Sequence, residues 1–481
     1  MRFAPSPTGE LHIGSVRTTL YNFLFAKRHG GRLVLRIEDT DQERLVPTAI
    51  DSIYDGLHWL GITWDEGPRE GGPYAPYIQS ERLSLYHEHA AALLRLDAAY
   101  RCFCTKERLE EMRREQQARG DAITRYDRRC RVIEPAEALA RVEAGEQHTI
   151  RLKVPFEGTI GTRDLVHGEV SWHLKDLDDQ VLVKSDGFPT YHLAVVVDDH
   201  VMRISHVLRA DEWLPSLPKH LLLFRAFGWE EPAFGHLPQV LGPDRKKLSK
   251  RHGATAVREF RDQGYVPEAL VNFLALIGWA PGTEDEVFTM AGLIERWRLE
   301  QVQPSGGIWD RERLDYFSGV HIRRLAPDEL ARRLLPFLPA TVDPQVLADA
   351  VPLIQERIET LADVREMLAF LFTDELDYAP ELLVAKKRTP GETRAALERA
   401  AESLARLPRF AHTDVEPALR GLAAEIGWKA TELFMAIRVA TTGRTVGGPI
   451  LESIALLGRE RTLARLRDAV ERLGPKTASR A

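Results

Sequence analysis

Residues 1–41 read MRFAPSPTGELHIGSVRTTLYNFLFAKRHGGRLVLRIEDTD, and the order of apolar and chain-breaking residues in them decides the fold. Met1 to Pro5 is short and extended, and Pro5, Pro7 and Gly9 keep the next segment out of a helix. Val16, Leu20, Phe23 and Leu24 then recur at helical spacing, and Gly30-Gly31 ends that helix. Leu33 to Ile37 is a short apolar run flanked by charge, as expected of a buried parallel strand. Strand, helix and strand make a βαβ beginning, which predicts a doubly wound, Rossmann-like α/β domain.

Working outward, the character changes at Tyr100. A charged helix is expected over Lys106 to Arg119, followed by alternation at Ile150 to Val154 that places apolar residues on one face and basic ones on the other. This reads as an inserted α+β domain, with the α/β pattern resuming near Val181. After about His321 nearly every segment has helical character. Thr413 and Glu416 have capping-box spacing ahead of Leu419, Leu422 and Ile426, and Pro390, Pro408, Gly443 and Gly447-Gly448 punctuate the helices. The expected organisation is multidomain: an α/β domain in two halves (1–99 and 185–255), the insertion (100–184), a helical region (256–320) and an all-α region (321–481). The tail from Pro475 to Ala481 is expected to fray.

Composition sets bounds on function. The 481 residues are 44% hydrophobic and 28% charged, enough apolar material for several cores. No apolar run approaches the roughly 18 residues of a membrane span, and the amino terminus has no signal-peptide pattern. With three cysteines and no disulfide framework, a soluble cytoplasmic protein is expected, working as a monomer. Net charge is −6 and the isoelectric point about 6.3, which neither supports nor excludes a nucleic-acid partner, since basic patches can be local.

Two short motifs carry chemistry. The turn between the first strand and helix holds His12, Gly14 and Ser15, at a helix amino terminus whose unpaired N–H groups favour phosphate. His12 can bond a phosphate oxygen while Gly14 admits close backbone approach; the plainer reading is an ordinary strand-to-helix turn. Far downstream, Lys246-Lys247-Leu248-Ser249-Lys250-Arg251 follows the Gly242-Pro243 breaker. A cationic loop of this kind can close over a triphosphate and stabilise charge on departing pyrophosphate, or it can be a solvated loop.

Together, in this order and βαβ context, the motifs resemble the His-Ile-Gly-His and Lys-Met-Ser-Lys-Ser signatures of class I aminoacyl-tRNA synthetases. Here they read His12-Ile13-Gly14-Ser15 and Lys247-Leu248-Ser249-Lys250-Arg251. Arg2 with Ala4 to Gly9, Arg36 to Asp41, Tyr191-His192 with Val197 to His200, and Leu208 to Trp213 are similar to the bacterial glutamyl-tRNA synthetase family. The glutaminyl relatives carry Asp-Asp-Thr-Asn in place of Glu38 to Asp41 and a β-barrel anticodon module, whereas this carboxyl-terminal third reads as helical.

The resemblance implies a glutamate–tRNA ligase with ATP, Mg²⁺, L-glutamate and tRNA(Glu) as substrates and partners. It implies RNA bound before glutamate is activated, an insertion that binds the acceptor end, a stem-contact region at 256–320 and an anticodon-binding region beyond. The ATP site would comprise His12, Gly14, Ser15, Lys247, Ser249 and Lys250, with His12, Lys247 and Lys250 catalytic. For glutamate, Glu38 lies at the carboxyl end of a parallel strand and could hold the ammonium, unless it only pairs with Arg36 or Arg44. Arg2 and Arg209 could hold the two carboxylates, with Ser6 nearby and Tyr191 donating a hydrogen bond or merely packing. Arg357 is expected among the anticodon readers, or in a salt bridge with Glu356 or Glu359.

Cys102, Cys104 and Cys130 cluster within 29 residues, and thiolates are good zinc ligands, but a tetrahedral site needs a fourth. Some family members supply a histidine two residues after the last cysteine, where this chain has Val132. Tyr126, Asp127 or a water would then serve, and free thiols without metal are the alternative. Two rivals to a ligase are a nucleotidyltransferase of the same superfamily and a catalytically inactive RNA-binding paralogue. The first is usually much shorter; the second sits poorly with intact His12, Gly14, Lys247 and Lys250.

Overall fold

The computed structural model describes residues 1–474, apart from 122 and 374 and the side chain of Lys250; the tail expected to fray lies outside this range. The chain divides into two compact units, one of residues 1–260 and 270–311, the other of residues 261–269 and 312 onward.

In the first unit, β1 (Arg2–Phe3), α1 (Ile13–Arg28) and β2 (Val34–Leu35) realise the opening βαβ, and β1 runs parallel to β2 with Arg2 opposite Val34. α1 forms because Ile13, Val16, Leu20 and Leu24 share one fully buried face, and Gly30, at φ +64°, turns the chain out. The strand is central. Its amides at Val34, Arg36 and Glu38 bond Met1, Phe3 and Pro5 on one side, while those of Leu35 and Ile37 bond Glu66 and Tyr77 on the other. Helices α2 (Ala49–Trp59) and α3 (Leu83–Arg95) follow.

The insertion contains β3 (Ala99–Cys102), α4 (Lys106–Ala118), α5 (Pro135–Glu143), β4 (Thr149–Leu152), the hairpin β5 (Thr159–Asp164) and β6 (Gly168–His173), and β7 (Val181–Val183). β3, β4 and β7 form an antiparallel sheet in that order, so Val181 to Val183 belongs to the insertion's sheet and the α/β pattern resumes later than expected. The reading of a basic face on β4 also needs correction. Arg151 is buried, donating to the Asp179 carbonyl at 2.9 Å with its guanidinium 4.0 Å from the Tyr126 ring.

The α/β fold continues through α6 (Tyr191–Val201), β8 (His206–Ala210), α7 (Leu217–Phe227) and β9 (Ala233–Leu237), with β8 parallel to β9. α1 spans both halves, since its Asn22 side chain donates to the Leu208 carbonyl of β8 at 3.1 Å. β10 (Val240–Leu241) pairs in parallel with β11 (Gly307–Ile308).

Among the described residues of the second unit there are only helices and turns. Leu397, Leu404, Leu419, Leu433, Ile437 and Leu466 meet in one core. Thr389 and Glu392 cap helix Pro390–Ala405 reciprocally. Thr413 does not cap its helix. That helix begins at His412, with Ala411 at the N-cap, so Thr413 already lies in the first turn and Glu416 pairs with Arg420 at 2.7 Å instead.

Candidate active site

A cavity of about 1480 Å³ opens in the first unit, beside the carboxyl ends of β1, β2 and β8. Open α/β sheets bind ligands there because strand-end loops diverge and leave a crevice. Arg2, Ser6, His12, Gly14, Ser15, Glu38, Tyr191, Arg209 and Lys247 all line it, with Cys102 and Cys104. Ser249 is not among the lining residues, and the Lys250 side chain lies outside the described structure.

At one end of the cavity His12 is the N-cap of α1, and its Nδ1 accepts the Gly14 amide at 3.0 Å. That bond places the proton of a neutral ring on Nε2. A Cβ at Gly14 would stand 3.3 Å from His12 Nδ1, so glycine keeps this cap tight. Ser15 is exposed on the first turn. The turn is stitched to the loop after the second motif: Ile13 N–H donates to Thr255 at 2.9 Å and Val257 N–H to Leu11 at 3.0 Å. Lys247 pairs with Glu212. Ser249 is turned inward, its amide on His252 Nδ1 at 3.1 Å, and Asp244 holds both Arg251 (3.0 Å) and His252 (3.2 Å). A Cβ at Gly242 would meet the His252 ring within 3.0 Å, so His252 is the anchor around which this loop folds.

The other end is a buried network of charge. Arg36, fully buried on the central strand, reaches Glu38 at 2.9 Å, Asp199 at 2.8 Å and Asp198 at 3.6 Å. Asp198 also accepts from Gln79 at 2.9 Å, Arg82 at 2.8 Å and Tyr86 at 2.8 Å, and Arg2 reaches Asp199 at 3.3 Å. Burial opposes the charge on Arg36, yet Asp199, Glu38 and Asp198 hold it well above its ordinary value. For Glu38 the balance goes the other way: burial raises it, with Arg36 and Arg2 opposing. Glu38 therefore both pairs with Arg36 and faces the cavity; Arg44 sits instead 3.9 Å from Asp41. Tyr191, at the start of α6, accepts from Arg209 Nη1 at 2.9 Å and packs against Trp213 with ring centroids 4.4 Å apart. Burial raises its hydroxyl, so it stays protonated and can donate to a ligand.

In the insertion the sulfurs of Cys102, Cys104 and Cys130 lie within 4.8 Å of one another. Cys104 and Cys130 are 3.6 Å apart, close to the separation of about 3.8 Å set by two 2.3 Å bonds in a tetrahedron. The Tyr126 hydroxyl lies 3.2 Å from Cys102 and 3.4 Å from Cys104. Asp127 is engaged by Arg108, and Val132 is exposed, so of the residues considered as a fourth ligand Tyr126 alone meets the sulfurs. Three thiols gathered this closely are a donor set of the kind that zinc takes, with the Tyr126 hydroxyl beside them.

Arg357 belongs to the second unit. It is exposed, and among the described residues no ion pair joins it to Glu356 or Glu359. Its charge reaches Arg438, which burial and then that charge hold below its ordinary value. Sequence reasoning had no signal for the neighbouring charge of Arg438 or for the His252 anchor. Asp198 and Asp199 stood in a quoted motif without a role.

Residues 1–316 match the family of "tRNA synthetases class I (E and Q), catalytic domain", and residues 329–470 an "Anticodon binding domain". The chain is 47% identical to a glutamate–tRNA ligase of Dehalococcoides mccartyi, covering 98% of both sequences. With the same enzyme of Moorella thermoacetica it shares 44% identity over 97% of this chain and 96% of the relative. Its fold is similar to the crystal structure of a glutamate tRNA ligase from Elizabethkingia meningosepticum in complex with its amino acid, at a TM-score of 0.89 and 34% identity, covering 98% of this chain and 99% of that one.

Proposed function

The chain belongs to the class I tRNA synthetases of the glutamate type, and we propose how its residues divide the work of a glutamate–tRNA ligase. In the first step the α-carboxylate of glutamate attacks the α-phosphorus of MgATP, giving glutamyl-adenylate and pyrophosphate. In the second the terminal adenosine of tRNA(Glu) attacks the activated carbonyl and AMP leaves. Neither step needs a protein nucleophile, so the side chains act by position and charge.

His12, Gly14 and Ser15 receive the triphosphate at the amino end of α1. Nε2–H of His12 is oriented as a donor because Nδ1 is occupied by Gly14. Lys247 and Lys250 supply the second motif's charge, with Lys247 exchanging Glu212 for phosphate, while Ser249 holds the loop through His252. Glu38 takes the substrate ammonium. Arg209, with Tyr191 and Ser6 near it, takes the side-chain carboxylate, and Arg2 takes the α-carboxylate. Convergence of the His12 turn, Lys247, Glu38 and both arginines on one cavity carries this reading.

The insertion, residues 100–184, would receive the acceptor end, residues 256–320 the stem, and the helices from 321 onward the anticodon, with Arg357 reading a base. Cys102, Cys104, Cys130 and Tyr126 would hold zinc, which would tie β3 to the segment around residue 130. We also take the enzyme to act as a monomer in the cytoplasm, a reducing compartment that suits three cysteines without a disulfide; light scattering should find about 54.4 kDa. The deciding assay is ATP–pyrophosphate exchange. Exchange is expected with glutamate only when tRNA(Glu) is present. Silence with both supplied would favour an inactive paralogue, and exchange without RNA would overturn the RNA requirement.

A further inference from the structure

The two arginines of the amino-acid end differ in their company. Arg2 is partly neutralised by Asp199 at 3.3 Å. Around Arg209, among the described residues, no carboxylate oxygen lies at ion-pair distance; its partners are neutral. Nε donates to His236 Nε2 at 3.0 Å, and Nη1 donates to the Tyr191 hydroxyl at 2.9 Å and lies 3.2 Å from His220 Nδ1. Burial lowers both histidines, so each offers a lone pair where a carboxylate would have offered a charge.

His236 can accept from Arg209 only while its proton sits on Nδ1, and Asp164 enforces that. Oδ2 of Asp164 is 2.6 Å from His236 Nδ1, and both side chains are fully buried. Oδ1 is committed to three backbone amides, those of Val166 (2.9 Å), His167 (3.0 Å) and His236 (3.2 Å). Burial works against the charge on Asp164, but these hydrogen bonds hold it below the usual carboxylate range. Asp164 ends β5 of the insertion, while His236 is on β9 and Arg209 on β8. The insertion's hairpin thus reaches the amino-acid end of the cavity.

We propose that Asp164 and His236 are positioning residues for amino-acid selection: Asp164 fixes the His236 tautomer, and His236 holds the Arg209 guanidinium by its Nε edge so that a positive charge with no carboxylate paired to it faces the substrate's side-chain carboxylate. This rests on the reading that Arg209 meets that carboxylate, and it adds why Arg209 rather than Arg2 does so. Neutral glutamine would leave that charge unanswered; glutamate answers it.

Asp164→Asn tests the relay with almost no change in shape. The three backbone amides keep the new amide oxygen at the Oδ1 position, so its NH₂ must face His236 Nδ1. The ring must then carry its proton on Nε2, and donor meets donor at Arg209. KM for glutamate should rise roughly ten- to a hundredfold, the range for losing a hydrogen bond to a charged group, and the glutamate-over-glutamine preference should fall by a similar factor. KM for ATP should hold. His236→Gln, which keeps an acceptor, should retain most of the preference, and His236→Leu should lose it. Should Asp164→Asn fail to fold, the His236 pair decides, and equal behaviour of Gln and Leu overturns the proposal. A parallel rise in KM for ATP also overturns it, since that marks a general structural role. Arg209→Gln separates the two levels. If it abolishes the preference while Asp164→Asn preserves it, the relay is wrong and the Arg209 reading stands. If Arg209→Gln leaves the preference intact, both fall.

Discussion

Replacing Arg36 with methionine removes the cation at the centre of the buried charge network while keeping its volume approximately. Its guanidinium reaches Glu38 at 2.9 Å, Asp199 at 2.8 Å and Asp198 at 3.6 Å with no exposure to solvent. Asp198 would keep Arg82 and Asp199 would keep Arg2, but Glu38 would lose its direct partner. Removing one side of a buried pair typically costs about 3–5 kcal/mol. At roughly 2–4 °C per kcal/mol, the first unit should melt about 6–20 °C lower at pH 7.5. Glu38 is already raised by burial against the pull of Arg36, and without Arg36 it rises further. Its charged form then costs stability above the raised folded value, and that cost fades as pH falls through it. The deficit against wild type, followed by circular dichroism, should therefore shrink between pH 7.5 and pH 5.5. Arg36→Met/Glu38→Gln removes both charges and should recover about 0.5–3 kcal/mol. A single variant melting within about 2 °C of wild type at pH 7.5, or a deficit that grows on acidification, would refute the account.

Lys250→Ala should slow pyrophosphate exchange by roughly 10²–10³, the loss of one electrostatic donor worth about 2.7–4 kcal/mol, with the melting curve unchanged; a rate within a few-fold of wild type makes the loop a bystander. Protein purified without added zinc should contain close to one equivalent, and Tyr126→Phe should weaken its retention against a chelator. Metal-free protein that folds and charges RNA at the normal rate would remove zinc from the design. Arg357→Gln should change the preference between glutamate and glutamine anticodons, and unchanged selectivity across both RNAs takes Arg357 out of the reading surface.

What could be read from sequence was what local order determines. The turn holding His12 and Gly14 follows from breakers placed between an extended segment and a helical stripe, and β2 follows from an apolar run, so both were legible. Glu38 was legible as a strand-end carboxylate, and its pairing with Arg36 was one of two readings left open. The rest depends on residues brought together from far apart. Nothing near Asp164 announces that it will meet His236, 72 positions on, or that Glu212 will hold Lys247. Arg151 looked like a surface base because alternation describes faces of a strand, yet the insertion covers both faces of β4. Thr413 looked like a cap because spacing cannot say which residue starts a helix, and the cap falls two residues earlier, at Ala411.

The backbone stitch between Leu11–Ile13 and Thr255–Val257 imposes an order on the making of this protein. Arg2, Arg36 and the carboxylates they gather are all synthesised by the time a ribosome has reached residue 199, so that corner can close early. The His12 turn must wait for residues 255–257. At roughly 5–20 residues per second that is about 3–11 s more of elongation. During this interval the growing chain has its buried charge network but an unbraced turn at His12. A chain cut short anywhere in between would keep the charged corner and lose the backbone brace on the His12 turn.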